Sequence, residues 1–184
     1  MTKLESVLQA LNNGEVIAYP TEAVYGLGCD PDNEAAVMAL LAIKQRPVDK
    51  GLILIAANYS QLLPYVDDNA IPSEKRYQIF SSWPGHVSWV LPASETAPKW
   101  ITGNFNSVAV RVSGHPVVQQ MCIAYGKPVV STSANLSGQP AITDRIELEQ
   151  RMAGKLSAIM PGDLGGATQP SQIRNALTGD IVRS

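Results

Sequence analysis

Apolar positions along the chain keep two rhythms, one helical and one suited to strands. Leu4, Val7, Leu8 and Leu11 fall at helical spacing behind a Thr2-x-x-Glu5 capping box, and Asn13-Gly14 supplies the stop. Val16–Tyr19 reads as a short strand ended by Pro20, and Asp32 or Asn33 caps a helix through Lys44 with Val37, Leu40 and Leu41 inward. Pro47 cannot continue that helix. Leu52–Ala56 is apolar without alternation, as in a strand covered on both faces. A helix is predicted from Ser73 through Phe80, then a Trp83-Pro84-Gly85 turn and a strand near Val87–Leu91. Val108, Val110 and Val112 alternate with Ala109 and Arg111, so Arg111 points away from the valine face. Pro116 opens a helix whose stripe is Val118, Met121, Cys122 and Tyr125, closed by Gly126. Val129 and Val130 then read as a buried strand emptying into a polar loop, Ser131–Gly138. A helix near Asp144–Met152, a strand near Ala158–Met160, a glycine turn at Gly162–Gly166 and two short segments complete the chain. Strands alternating with helices predict an α/β fold in which helices pack around a sheet.

Composition narrows the class. The 184 residues suit one domain spanning 1–184, with 45% apolar and only 16% charged residues. Net charge is −2, so the whole protein is not a general polyanion binder, and an anion site must come from local clustering of its basic residues. Cys29 and Cys122 have neither metal-ligand nor disulfide spacing and read as buried thiols in a reducing compartment. Glu5 and polar neighbours interrupt any signal-peptide pattern, and no apolar run is long enough to span a bilayer. The expectation is a cytoplasmic protein with no membrane partner.

Several stretches carry candidate chemistry, each with a plainer reading beside it. The hydroxyls and amide of Ser131–Gly138 suit a ligand at the carboxyl end of a strand, yet the same residues form ordinary turns. Lys44 and Arg46 close a helix ahead of Pro47, with Lys50 nearby; they complement the helix dipole or grip phosphates. Arg111 meets an acid or clamps a substrate carboxylate through its fork. Pro20-Thr21-Glu22 leads into Gly26 and Gly28, where backbone can approach something closely. Neither a P-loop nor a G-x-G-x-x-G pattern is present. His86 and His115 stand isolated and take surface or packing roles, while Gly162–Gly166 is a flap or a plain turn.

Pro20–Gly28, Lys44-x-Arg46-Pro47 and Ser133-x-Asn135 together resemble the motifs of the YrdC/TsaC-type threonylcarbamoyl-AMP synthases, in their short form. The Trp83-Pro84-Gly85, Val108–Val112 and Ser171/Arg183 regions fit as well, so the resemblance covers nearly the whole chain. It implies a twisted mixed sheet with an open concave binding face, and synthesis of threonylcarbamoyl-AMP from L-threonine, bicarbonate or CO2, and ATP with Mg2+. Partner proteins of the family transfer the threonylcarbamoyl group to tRNA beside the anticodon, and weak direct tRNA binding is a further expectation. By the same resemblance Lys44 and Arg46 act on the ATP phosphates as the catalytic pair. Ser133, Asn135 and Arg183 hold the nucleotide, and Thr21, Arg111, Ser131 and Ser171 hold threonine. No residue is assigned to a metal. His86 and Ser88 depart from a common proline and threonine, and Ile55 from a histidine of longer relatives. Glu22 is a candidate acceptor for the amine proton by its place in the sequence. The rival readings are an RNA- or tRNA-binding module, with Lys44, Lys50, Arg111 and Arg183 facing phosphates, and a carbamoyl-transfer module.

Overall fold

The computed structural model describes residues 1–183. A helix α1 (Lys3–Asn12) starts at the Thr2/Glu5 capping box, whose reciprocal bonds satisfy two otherwise orphaned amides, an arrangement worth about 1 kcal/mol. A hairpin follows, β1 (Ile17–Pro20) with β2 (Tyr25–Gly28), in which Pro20 pairs with Tyr25 instead of ending the strand early. Asn33, rather than Asp32, caps α2 (Glu34–Lys44). The remaining elements are β3 (Ile53–Ala56), α3 (Ser73–Ser81), β4 (Val87–Pro92), α4 (Lys99–Thr102), β5 (Ser107–Val112) and α5 (Pro116–Tyr125). They are followed by β6 (Val129–Ser133), α6 (Arg145–Arg151), β7 (Ala158–Ile159), β8 (Gln172–Asn175) and β9 (Ile181–Arg183). One feature of β6 departs from expectation: Ser131, Thr132 and Ser133 belong to the strand, bonded in register to Ile53, Leu27 and Gly26.

The strands form one mixed nine-stranded sheet in the order β7-β1-β2-β6-β3-β5-β4-β8-β9. Alternation along the strands splits its side chains cleanly. Leu27, Leu54, Val108, Val110 and Val130 enter a large core with Val37 and Leu40 of α2, Ile79 of α3, Ile101 of α4 and Leu148 of α6. Ile17, Tyr19, Ile55 and Val129 face the other way, into a smaller core with Val7 and Leu11 of α1 and Val118, Met121 and Cys122 of α5. Two helices cannot cover that second face. The same side of β3, β5 and β6 continues past them as Ile53, Ala109, Arg111, Ser131 and Ser133, which line a cavity instead of a core.

Topology then places a cover over the uncovered part. β7 and β8 lie seven inter-strand steps apart, which at ~4.8 Å each is about 34 Å on a flat sheet. Residues 160–171 span this distance, close to the reach of an extended chain at ~3.3–3.6 Å per residue. So the glycine-rich stretch is neither flap nor turn; it is a strap. Gly165 donates its amide to the Thr21 carbonyl (3.0 Å) and Ala167 to that of Glu22 (2.8 Å). Both histidines help to pin it. His115 accepts the Val117 amide at Nδ1, so its Nε2 donates to the Asp163 carbonyl (2.8 Å), and His86 Nε2 bonds the Gln169 carbonyl (2.8 Å).

Candidate active site

A cavity of about 780 Å³ lies on the open sheet face, and every site residue expected from sequence lines it: Thr21, Lys44, Arg46, Arg111, Ser131, Ser133, Asn135, Ser171 and Arg183. Lys50 joins Lys44, Arg46, Arg111 and Arg183 there, and no Asp or Glu belongs to the lining. A chain of net charge −2 thus gathers five of its 14 basic residues in one hollow. Such a site raises the local concentration of anions.

The end of α2 builds one half. Gln45 takes a left-handed conformation (φ 53), at a cost of roughly 1–2 kcal/mol for a residue with a side chain. That twist ends the helix and sends Arg46 back toward the cavity. Lys44 is nearly buried, and its Nζ donates to the Ser133 carbonyl (2.7 Å), to Ser133 Oγ (3.4 Å) and to Asn135 Oδ1. Ser133 Oγ also donates to Asn135 Oδ1 (2.9 Å), Asn135 Nδ2 bonds the Gln139 carbonyl, and the Ser137 amide caps the Lys44 carbonyl (2.9 Å). Lys44 of the Lys-x-Arg signature and both residues of Ser-x-Asn are therefore one hydrogen-bonded unit. Burial, with the Arg46 charge second, pushes the Lys44 ammonium down to about 8. Arg46 donates from Nη2 to the Gly51 carbonyl (2.9 Å), while its Nε is buried without a partner. Leu52, Ile53, Val90, Ile101, Phe105 and Ala109 add an apolar wall to this half.

The other half lies under the strap. Arg111 is buried, with Nη1 donating to Glu22 Oε2 (2.8 Å) and facing His86 Nδ1 at 3.4 Å. Among the described residues nothing bonds its Nε or Nη2, so the two readings of Arg111 coexist: one edge meets an acid and the other stays free. Ser113 Oγ donates to the same carboxylate oxygen (3.0 Å). Burial alone would raise the Glu22 carboxyl, but the Arg111 guanidinium and these bonds hold it below its ordinary value. A carboxylate tied in this way is a poor proton acceptor, and Glu22 is not part of the lining; this corrects its candidacy as the base. Ser171 is buried beside Ser88 (Oγ–Oγ 3.3 Å) and takes both Nε and Nη2 of Arg183 on its carbonyl and hydroxyl, each at 3.0 Å. Thr21 Oγ1 donates to the Val24 carbonyl (2.6 Å), and Ser131, paired with Ile53 in the sheet, stands on the cavity floor.

Two sequence inferences change. Gly26 and Gly28 are not cleared chiefly for a ligand: a Cβ at Gly28 would lie 2.8 Å from the Tyr19 ring, and one at Gly26 3.1 Å from it. They make room for the buried Tyr19, whose hydroxyl donates to the Val130 carbonyl (3.1 Å). Ile55 is fully buried beneath α5 and does not reach the cavity. The strap contacts and the role of His86 were missed by sequence reasoning. No local pattern marks a segment whose partners lie far back in the chain.

Comparison with known proteins places the chain in a family. A family model named for Sua5, YciO and YrdC, described as telomere recombination, matches residues 9–184. The threonylcarbamoyl-AMP synthase of Yersinia enterocolitica is 62% identical over 181 residues, covering 98% of this chain and 94% of the relative. That of Vibrio campbellii is 53% identical over 183 residues, covering 100% and 99%. Among solved structures, P. abyssi Sua5 complexed with L-threonine superposes with a TM-score of 0.86 at 31% identity, covering 95% of this chain and 52% of that one. The chain belongs to the Sua5/YciO/YrdC family.

Proposed function

We propose that this protein is a threonylcarbamoyl-AMP synthase, an enzyme that joins L-threonine, CO2 or bicarbonate, and the adenylyl group of ATP, releasing pyrophosphate. The observation that carries the reading is a single hollow lined by cations and hydroxyls, free of acidic side chains, with an arginine fork at one end and the Lys44–Arg46 corner at the other. The relatives' names and the threonine complex of a similar structure point the same way.

In this reading the free edge of Arg111 takes the threonine carboxylate, with Thr21, Ser131 and Ser171 around the amino acid. The threonine amine attacks CO2, giving up a proton and forming a carbamate. A carbamate oxygen then attacks the α-phosphorus as the bond to the bridging oxygen breaks and pyrophosphate departs. No protein nucleophile is needed; the work is positioning and the neutralisation of developing negative charge. Arg46, with Lys44 and Lys50 beside it, supplies the charge. Ser133 and Asn135, held by Lys44, orient the nucleotide along with Arg183. The strap shelters a carbamate that is short-lived in water. Among the described residues no group of three or more His, Cys, Asp and Glu side chains could hold a metal ion. In this reading magnesium arrives with ATP, as part of the substrate. Transfer to the adenosine beside the anticodon falls to partner proteins in the cytoplasm. Cations that point into a hollow, not along a surface stripe, fit a mononucleotide better than an RNA backbone. No helix among the described residues is long and apolar enough to cross a membrane. The direct test is pyrophosphate release with each substrate omitted in turn: release should require all three, and salt-sensitive tRNA binding without threonine-dependent ATP use would favour the RNA-binding reading.

Two further results are expected. Synthase rate should fall as pH rises through about 8, where Lys44 loses its proton, and Lys44→Arg should flatten that limb. The fall is not unfolding driven by Lys44: its ordinary value of 10.5 means the unfolded chain holds more protons above pH 8, so this group favours folding increasingly as pH rises. A pH–rate profile beside a melting curve separates the two. Gly165→Ala should disturb the strap, because a Cβ there would sit 2.8 Å from the Glu22 Cα. Backbone cannot yield cheaply, and overpacking of this kind costs ~1–3 kcal/mol. Threonine KM should rise severalfold with ATP KM moved less, as steady-state kinetics would report.

A further inference from the structure

We propose that Glu22 is a positioning residue: it grips one edge of the Arg111 guanidinium so that the opposite edge meets the carboxylate of the amino-acid substrate. The proposal rests on the threonine reading given above and assigns that site a part outside its own lining. Glu22 Oε2 accepts from Arg111 Nη1 (2.8 Å) and from Ser113 Oγ (3.0 Å). The Ser113 hydroxyl is itself fixed, because Ser113 Oγ accepts the His115 amide (3.0 Å) and so must turn its proton toward Glu22. The backbone of Glu22 is fixed from the far side by the strap, through Ala167 on its own carbonyl and Gly165 on that of Thr21. His86 completes the enclosure. Its Nδ1 faces an arginine donor and so serves as the acceptor, leaving Nε2 to donate to the Gln169 carbonyl. Nη1 is therefore held, and Nε with Nη2 form the only edge open to a two-pronged partner.

The other Glu22 oxygen, Oε1, is buried with no partner. Buried polar atoms are normally satisfied, and a carboxylate left half-used costs stability. A glutamine would supply an acceptor to Arg111 without the buried charge, and a smaller residue would avoid the stranded oxygen. Charge and reach together are what this position supplies, and both act on Arg111.

The test compares wild type with Glu22→Gln and Glu22→Ala, by steady-state kinetics for both substrates and by calorimetric binding of threonine. Glu22→Gln should raise threonine KM about fivefold and Glu22→Ala at least tenfold, with ATP KM within twofold in each. Glu22→Asp, which keeps the charge on a shorter arm, should fall between wild type and alanine. If the alanine variant fails to fold, the glutamine variant, nearly equal in volume, carries the comparison. Unchanged threonine KM, or equal rises for threonine and ATP, would overturn the proposal. A wild-type protein that binds threonine but makes no adenylate would sink the synthase reading alone, since the binding ratio of wild type to Glu22→Gln still decides this role. Absence of threonine binding in the wild type would overturn both.

Discussion

Replacing Arg111 by lysine should raise threonine KM at least tenfold and leave ATP KM within about twofold. Lysine keeps the charge but is a single point of attachment, whereas Arg111 serves Glu22 on one edge and has a second edge to spare. The variant must surrender either the ion pair or the substrate. One charge-assisted hydrogen bond contributes ~1.5–3 kcal/mol, and ~1.4 kcal/mol is tenfold. Lysine is the more informative change, because alanine would leave Glu22 as a buried charge without its partner and cost ~3–5 kcal/mol of stability. Steady-state kinetics with each substrate varied in turn checks it. Equal losses for threonine and ATP would remove Arg111 from the amino-acid site.

Lys44→Ala and Arg46→Ala should each cut threonine-dependent pyrophosphate release by more than tenfold, by different routes. Arg46 lines the cavity, so in the proposed synthase reading its loss removes charge where the phosphates leave. Lys44 is already committed to Ser133 and Asn135, so its loss frees the loop that orients the nucleotide. The two are separable by amide exchange. Protection at Ser137, whose amide bonds the Lys44 carbonyl, should fall in the lysine variant and stay unchanged in the arginine variant. Near-normal turnover in both would sink the assignment.

Much of this was legible in the sequence, for definable reasons. Thr2/Glu5, Asn33, Pro116 and Gly126 act within a few residues of themselves, so local chemistry reveals the helix ends they make. Val108, Val110 and Val112 against Ala109 and Arg111 gave the sheet face correctly, because strand alternation is a strict period of two. The residues that line the cavity were named from the sequence as well, but the resemblance to a family assigned their partners; residue types alone left Arg111 and Lys44 divided between ordinary and functional roles. What stayed hidden is non-local. The hydroxyls of Ser131–Ser133 look like loop residues until pairing with β2 and β3 makes them strand. Gly26 and Gly28 look like a ligand's clearance until Tyr19 fills it. The strap exists only because β7 and β8 sit on opposite sides of the sheet, and strand order is not written in any one segment.

The central claim is that one hollow assembles three substrates into one adenylate. Its most direct measurement supplies carbon-labelled bicarbonate with ATP and threonine and follows the label. It should appear in a product that carries both threonine and AMP, and vanish when any substrate is omitted. Label absent from an AMP-bearing product, or pyrophosphate released equally without threonine, would contradict the account.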